Sequence, residues 1–143
     1  MSKTNPPILV RRFVENRAKG YCEYCLCHKD FATDSFCMEH ISPLADNGSN
    51  DPDNLAYACG SCNGHKHAKT QGVDPLLGQV TIFFNPRLDI WNDHFEWDST
   101  ATIIVGKTSI GRTTVDILKM NRPPVINLRK GMIAIGIHPP QLV

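Results

Sequence analysis

Two Cys-x-x-Cys pairs, Cys22/Cys25 and Cys59/Cys62, bracket a polar stretch that carries Glu39 and His40; Asn54 precedes the second pair and Asn63 follows it. Two such turns bring four thiolates to one metal ion. Their spacing matches tetrahedral Cys₄ zinc sites, which are closed and structural because no ligand position remains for chemistry. Two disulfides or a redox dithiol are the alternatives, and paired cysteines without a secretory leader point to metal instead. The insert from Leu26 to Ala58 is longer than in common zinc ribbons, so the zinc site acts as a clasp that closes a loop. Cys27 and Cys37 read as ordinary thiols. The Glu39-His40 pair is a different kind of signal: a carboxylate beside an imidazole suits a second, open site. Adjacent strand residues point to opposite faces, so both serve one site only if a bend, a bulge or a helix end intervenes.

The elements that must position these groups follow from local pattern. Residues 6–20 place Leu9 and Phe13, then Val10, Val14 and Ala18, at helical spacing, with Pro7 at the start and Gly20 at the end. The helix packs a core or delivers its arginines to phosphates. Tyr21 and Tyr24 can shield the first knuckle, and Phe31 is expected beneath it. Phe36–Ile41 reads as a short strand ended by Pro43, residues 45–54 as a loop, and residues 54–58 as a second strand. A hairpin with a long loop results, followed by a short helix opening near Ser61 and ending by Gly72. Beyond it come a turn at Asp74-Pro75, a strand over 80–84, and a helix from Asn85-Pro86 whose core stripe is Leu88, Trp91 and Phe95. A strand over 101–105 and a helix over 113–121, with Val115 and Leu118 inward, come next. The last helix opens at Pro123-Pro124 and runs through Val125, Leu128 and Met132.

The chain has 143 residues and 41% hydrophobic content, enough for one modest core. No apolar run approaches a membrane span, and the N-terminal stretch lacks the apolar region of a signal peptide. A soluble, cytoplasmic protein is expected. The net charge of +1 hides a pattern: residues 1–20, 21–62, 63–106 and 107–143 net +4, −6, −2 and +5. An acidic centre suits cations, and basic ends suit a phosphate backbone or simply a solvated surface.

In order, these parts resemble the HNH endonuclease family, the ββα-metal or His-Me finger nucleases, in the form braced by a Cys₄ zinc site. The resemblance covers about residues 20–70. It rests on the first Cys-x-x-Cys, on Glu39-His40-Ile41-Ser42-Pro43, on a loop containing Gly48, on Asn54-Leu55, and on Cys59 to Lys66 as C-x-x-C-N-x-x-K. The fold it implies is α+β: a zinc-braced ββα-metal module with its N-terminal helix over 1–72, and a mixed α/β extension packed on it over 73–143.

The resemblance also implies roles. His40 is the general base that takes a proton from water, a task suited to a side chain that titrates near neutrality. Asn54 holds the histidine loop. Glu39 and Asn63 ligate a catalytic divalent cation, and this oxygen-donor set suits Mg²⁺ or Mn²⁺. The cation stabilises the charge on the phosphate in the transition state, and products carry 5′-phosphate and 3′-hydroxyl ends. Glu39 stands where Asp is commoner, and Asn63 where histidine is frequent. His65 and His67 lie close enough to assist. Lys66 contacts phosphate or braces the loop. The expected partner is DNA, with Lys66, Arg112, Lys119, Arg122, Arg129 and Lys130 as candidate contacts, and the protein acting as a monomer or homodimer. A zinc-clasped nucleic-acid-binding module without catalysis is the alternative. It gives no reason for Glu39, His40, Asn54 and Asn63 to occur together. A zinc-braced protein-interaction domain makes no use of the Glu-His pair.

Overall fold

The computed structural model describes residues 5–141; Lys3, one of the N-terminal bases, lies outside them. Helix α1 (Ile8–Ala18) ends where Lys19 and Gly20 both adopt positive φ. Of its two expected apolar stripes, Val10, Val14 and Ala18 pack inward, while Leu9 and Phe13 face solvent. Strand β1 (Cys37–His40) pairs antiparallel with β2 (Leu55–Ala58), His40 opposite Leu55 and Glu39 opposite Ala56. Helix α2 (Gly60–Lys66) follows directly. This is the ββα order expected from the motif, and it stops the helix earlier than expected, at a His67 with φ of 51°.

The second half differs more from the sequence-based expectation. Residues assigned to the tail of α2 form strand β3 (Gln71–Val73), paired with β4 (Val80–Ile82). The helix expected from Asn85 shrinks to α3 (Trp91–His94), and Phe95 begins strand β5 (Phe95–Trp97). Asn85 instead closes a turn by accepting hydrogen bonds from the Arg87 and Leu88 amides, which leaves Leu88 exposed rather than in the core. Strand β6 (Ile104–Gly106) pairs with β5 a few residues later than expected. Helix α4 (Ser109–Ile117) starts early because the Thr108 hydroxyl accepts from the Gly111 amide and caps it. Gly111 is needed there, since a Cβ would meet the His94 carbonyl oxygen at 2.0 Å. Helix α5 (Pro123–Ala134) opens at its proline pair as expected. Phe31, expected beneath the first knuckle, is largely exposed.

The result is a mixed α/β fold of five α-helices and three two-stranded antiparallel sheets among the described residues. One apolar cluster holds both knuckles together with Phe83, Phe84, Trp91, Phe95, Ile104, Leu118, Met120 and Val125. Thus the zinc-type knuckles and the second half share a core. Trp91 donates its indole N–H to the Tyr24 carbonyl at 3.0 Å, a buried bond between the halves. No helix among the described residues is long and apolar enough to cross a membrane.

Candidate functional site

The four cysteines come together as their spacing requires. The Cys22, Cys25, Cys59 and Cys62 sulfurs all lie within 4.8 Å of one another and are buried. Cys25 and Cys59 are 3.8 Å apart. Four thiolates about 2.3 Å from a central Zn²⁺ would have sulfurs about 3.8 Å apart, so the set fits a tetrahedral zinc ion. Among the described residues it is the one group of three or more His, Cys, Asp or Glu placed to share a metal. Within the quartet, hydrogen bonds from neighbouring cysteines, Cys22 first, pull the Cys25 and Cys59 thiols well below the ordinary range, while burial pushes Cys22 up and hydrogen bonds from its neighbours, Cys22 first, push Cys62 up. Cys27 lies outside this quartet, with its sulfur 3.5 Å from that of Cys25.

The Glu39-His40 pair divides as the pleat of β1 dictates. Glu39 turns inward and is 2% exposed. Its Oε2 accepts from the Tyr24 hydroxyl at 3.0 Å, and its Oε1 pairs with the Lys66 ammonium, which is equally buried. Burial, reinforced by the Glu39 charge, pushes the Tyr24 phenol well above its ordinary range and keeps it a donor. Lys66 also donates to the Ile41 carbonyl at 3.3 Å. Of the two roles open to Lys66, the structure shows bracing: its ammonium ties α2 to β1 and does not reach solvent. This arrangement bears on a divalent cation. With Lys66 on its carboxylate, Glu39 offers no open position, and as placed the residues do not fit Mg²⁺ or Mn²⁺. Asn63 sits half-buried in the middle of α2.

His40 turns the other way and is half-buried. Its Nε2 donates to the Asn50 Oδ1 at 2.7 Å. An amide oxygen only accepts, so Nε2 carries the proton in the neutral ring and Nδ1 presents its lone pair. The loop bearing Asn50 is held by Asn54. The Asn54 Oδ1 accepts from the Ser42 amide at 2.8 Å, and its Nδ2 donates to the Ser42 and Ser49 carbonyls at 3.0 and 2.8 Å. Both ends of the loop after His40 are therefore tied to one side chain. Gly48 lets the loop close: a Cβ there would lie 1.8 Å from the Ser42 carbonyl oxygen. Arg17 of α1 secures the turn around Asn54 by donating to the Pro52 and Leu55 carbonyls at 3.1 and 2.8 Å.

Sequence reasoning missed Asn50, Tyr24 as a partner of Glu39, and Arg17 as a loop brace. Asn50 lies in a run of turn-forming residues, where composition marks a loop and nothing distinguishes one asparagine from the next. His65 is exposed and bonds its own helix at the Ser61 carbonyl, and His67 is exposed at the helix end.

The basic C-terminal segment is mostly engaged with the protein itself. Arg129 is fully buried and donates to the Thr102, Met120 and Cys25 carbonyls and to Asn121 Oδ1. Arg112 pairs with the buried Asp74 carboxylate at 2.8 Å. Arg122 reaches the Cys59 and Cys62 sulfurs. Arg129 therefore offers nothing to a phosphate, and the guanidiniums of Arg112 and Arg122 are already bound. Lys119 and Lys130 face solvent.

Residues 22–69 match the family model described as HNH endonuclease. A curated relative, Septu protein PtuB from Bacillus thuringiensis, is 30% identical over 107 residues, which is 71% of this chain and 37% of that protein. The chain thus spans little more than a third of the length of that relative. No solved structure matches the chain.

Proposed function

From residues 22–69 as an HNH endonuclease module, we propose that the protein hydrolyses DNA phosphodiester bonds, with His40 as the general base. The observation that carries this reading is the His40–Asn50 hydrogen bond on a loop clamped by Asn54. The bond sets the imidazole so that Nδ1 can take a proton from a water, which then attacks phosphorus as the 3′ oxygen leaves. A base positioned in this way contributes about 10²- to 10⁴-fold in rate. The exposed Arg11 and Arg12 of α1, with Lys119 and Lys130, are the proposed contacts for a phosphate backbone.

A divalent cation, Mg²⁺ or Mn²⁺, belongs to the proposal on the strength of the family match. Glu39 and Asn63 are the ligands that the resemblance implies, but Lys66 and Tyr24 hold the Glu39 carboxylate, so no step of the proposal runs through a cation at that pair. Zinc at the four cysteines is structural. The burial of Glu39 beneath Lys66 favours a second reading, a nucleic-acid-binding module that does not cut.

Plasmid nicking separates the two. The nuclease reading expects the purified protein to nick supercoiled DNA with Mg²⁺ or Mn²⁺, to stop in EDTA, and to lose cutting but not DNA binding in His40→Ala. DNA binding without nicking under any of these metals would establish the second reading. A Glu39→Gln protein that keeps the parent's Mn²⁺ requirement and Mn²⁺ affinity would bear out the structural role of the Glu39–Lys66 pair.

A further inference from the structure

Zinc held by four thiolates carries a net charge of −2, and here the four sulfurs are almost wholly enclosed. A buried charge of that size needs hydrogen bonds and a counter-charge nearby. The structure places one. Arg122, the residue preceding α5, lies 60 positions after Cys62 in the chain, yet its guanidinium faces the cluster. Nη2 is 3.4 Å from the Cys59 sulfur, and Nη1 is 3.9 Å from the Cys62 sulfur. Nη1 is also anchored by the Lys119 carbonyl at 3.1 Å, which fixes the plane of the fork. The Cys59 sulfur receives in addition the Cys62 amide at 3.4 Å.

A second observation concerns access. A cleft of about 420 Å³ opens beside the cluster, lined by Cys27, Asp34, Cys59, Arg122, Val125 and Leu128 among others. Cys59 and Arg122 share this wall, so the guanidinium stands where a small molecule would approach the metal. Arg129, the other arginine at this knuckle, directs its Nη1 and Nη2 donors to backbone carbonyls and the Asn121 amide oxygen rather than to sulfur.

We propose that Arg122 is a working part of the zinc site: it donates to the Cys59 and Cys62 thiolates, offsets their charge, and guards the one edge of the cluster that faces the cleft. The role assigned to it is therefore metal retention and not phosphate binding. Because the cysteines come from residues 22–62 and the arginine from beyond residue 120, the same contact makes zinc binding depend on the second half of the chain.

The test uses the full-length, zinc-loaded protein and a chromophoric chelator. Arg122→Met should release zinc about 10-fold faster or more, the usual effect of removing a group that hydrogen-bonds metal ligands. Arg122→Lys keeps the charge but cannot donate to both sulfurs, and should release zinc at an intermediate rate. Asn127→Ala, which changes the same cleft without touching sulfur, should match the parent. With Co²⁺ in place of zinc, the thiolate-to-cobalt absorption bands should shift in Arg122→Met, because N–H donation to sulfur alters ligand donor strength. Unchanged release with unchanged cobalt bands would overturn the proposal, as would a parent protein that binds no zinc. If Arg122→Met does not fold, Arg122→Lys decides: a release rate equal to the parent's sinks the idea.

Discussion

At the scale of single residues, the proposed chemistry depends on which side of β1 each group faces. His40 and Glu39 are neighbours in the chain, but the pleat sends one to the clamped loop and the other to a buried ion pair. Replacing His40 with alanine should lower the rate of nicking by about 10²- to 10⁴-fold, measured on supercoiled plasmid at saturating metal. Asn50→Ala should act through the histidine. It removes the acceptor that fixes the ring, so kcat should fall by about 10-fold or more while KM for DNA stays near the parent value. An Asn50→Ala protein whose kcat equals the parent's would show that the ring needs no such partner. The identity of the His40 partner was not legible in the sequence. The loop offers Asn47, Asn50 and Asn54 within eight positions; the resemblance assigned Asn54 to the loop, and only the folded path of the chain selects Asn50 for the ring.

At the scale of elements, the ββα order of β1, β2 and α2 was legible, because the strand pattern, the loop-forming run and the cysteine turn each carry a local signal. The β3–β4 hairpin and the short α3 were not. Their assignment depends on turn chemistry at Asn85 and on packing against α4, where Gly72 lies against Thr113 and Ile117. One ion pair joins this hairpin to α4. The Arg112 guanidinium beside Asp74 holds its carboxyl well below the usual carboxylate range, with Ser109 also donating. Because the folded value is depressed, the stability it contributes is present above the unfolded value of about 3.9. It is lost as pH falls through the folded value. Melting temperatures of the parent and Asp74→Asn should therefore differ by a constant amount above about pH 5 and draw together progressively below it. Convergence on the alkaline side instead would assign the effect to another group. Arg129 in α5 is the other element-scale tie. Replacing it with methionine leaves buried carbonyls of Cys25, Thr102 and Met120 without donors. That should cost about 3 kcal/mol, read from urea unfolding.

At the scale of the whole molecule, the knuckles and the second half share one apolar cluster, and Trp91, Arg122 and Arg129 each reach across to the cysteine turns. Both tryptophans, Trp91 and Trp97, belong to the second half. With zinc at the quartet as proposed, its removal should therefore shift tryptophan emission and unfold both halves in one transition, since structural zinc supplies on the order of 10–16 kcal/mol in small domains. Emission that stays unchanged after zinc loss would mean that residues 73–143 fold independently. The cysteine quartet, the order of strands and helix, and the likeness of residues 22–69 to the HNH family model were determined by the sequence alone. Those features rest on spacing and on period, which act over a few residues. The burial of Glu39, Lys66 and Arg129, the choice of Asn50 for His40, and the engagement of Arg112 by Asp74 and of Arg122 by the cysteines were decided only by tertiary structure. A charged side chain has no local signature for burial. Whether it faces solvent or a partner depends on what the fold brings opposite it from dozens of residues away.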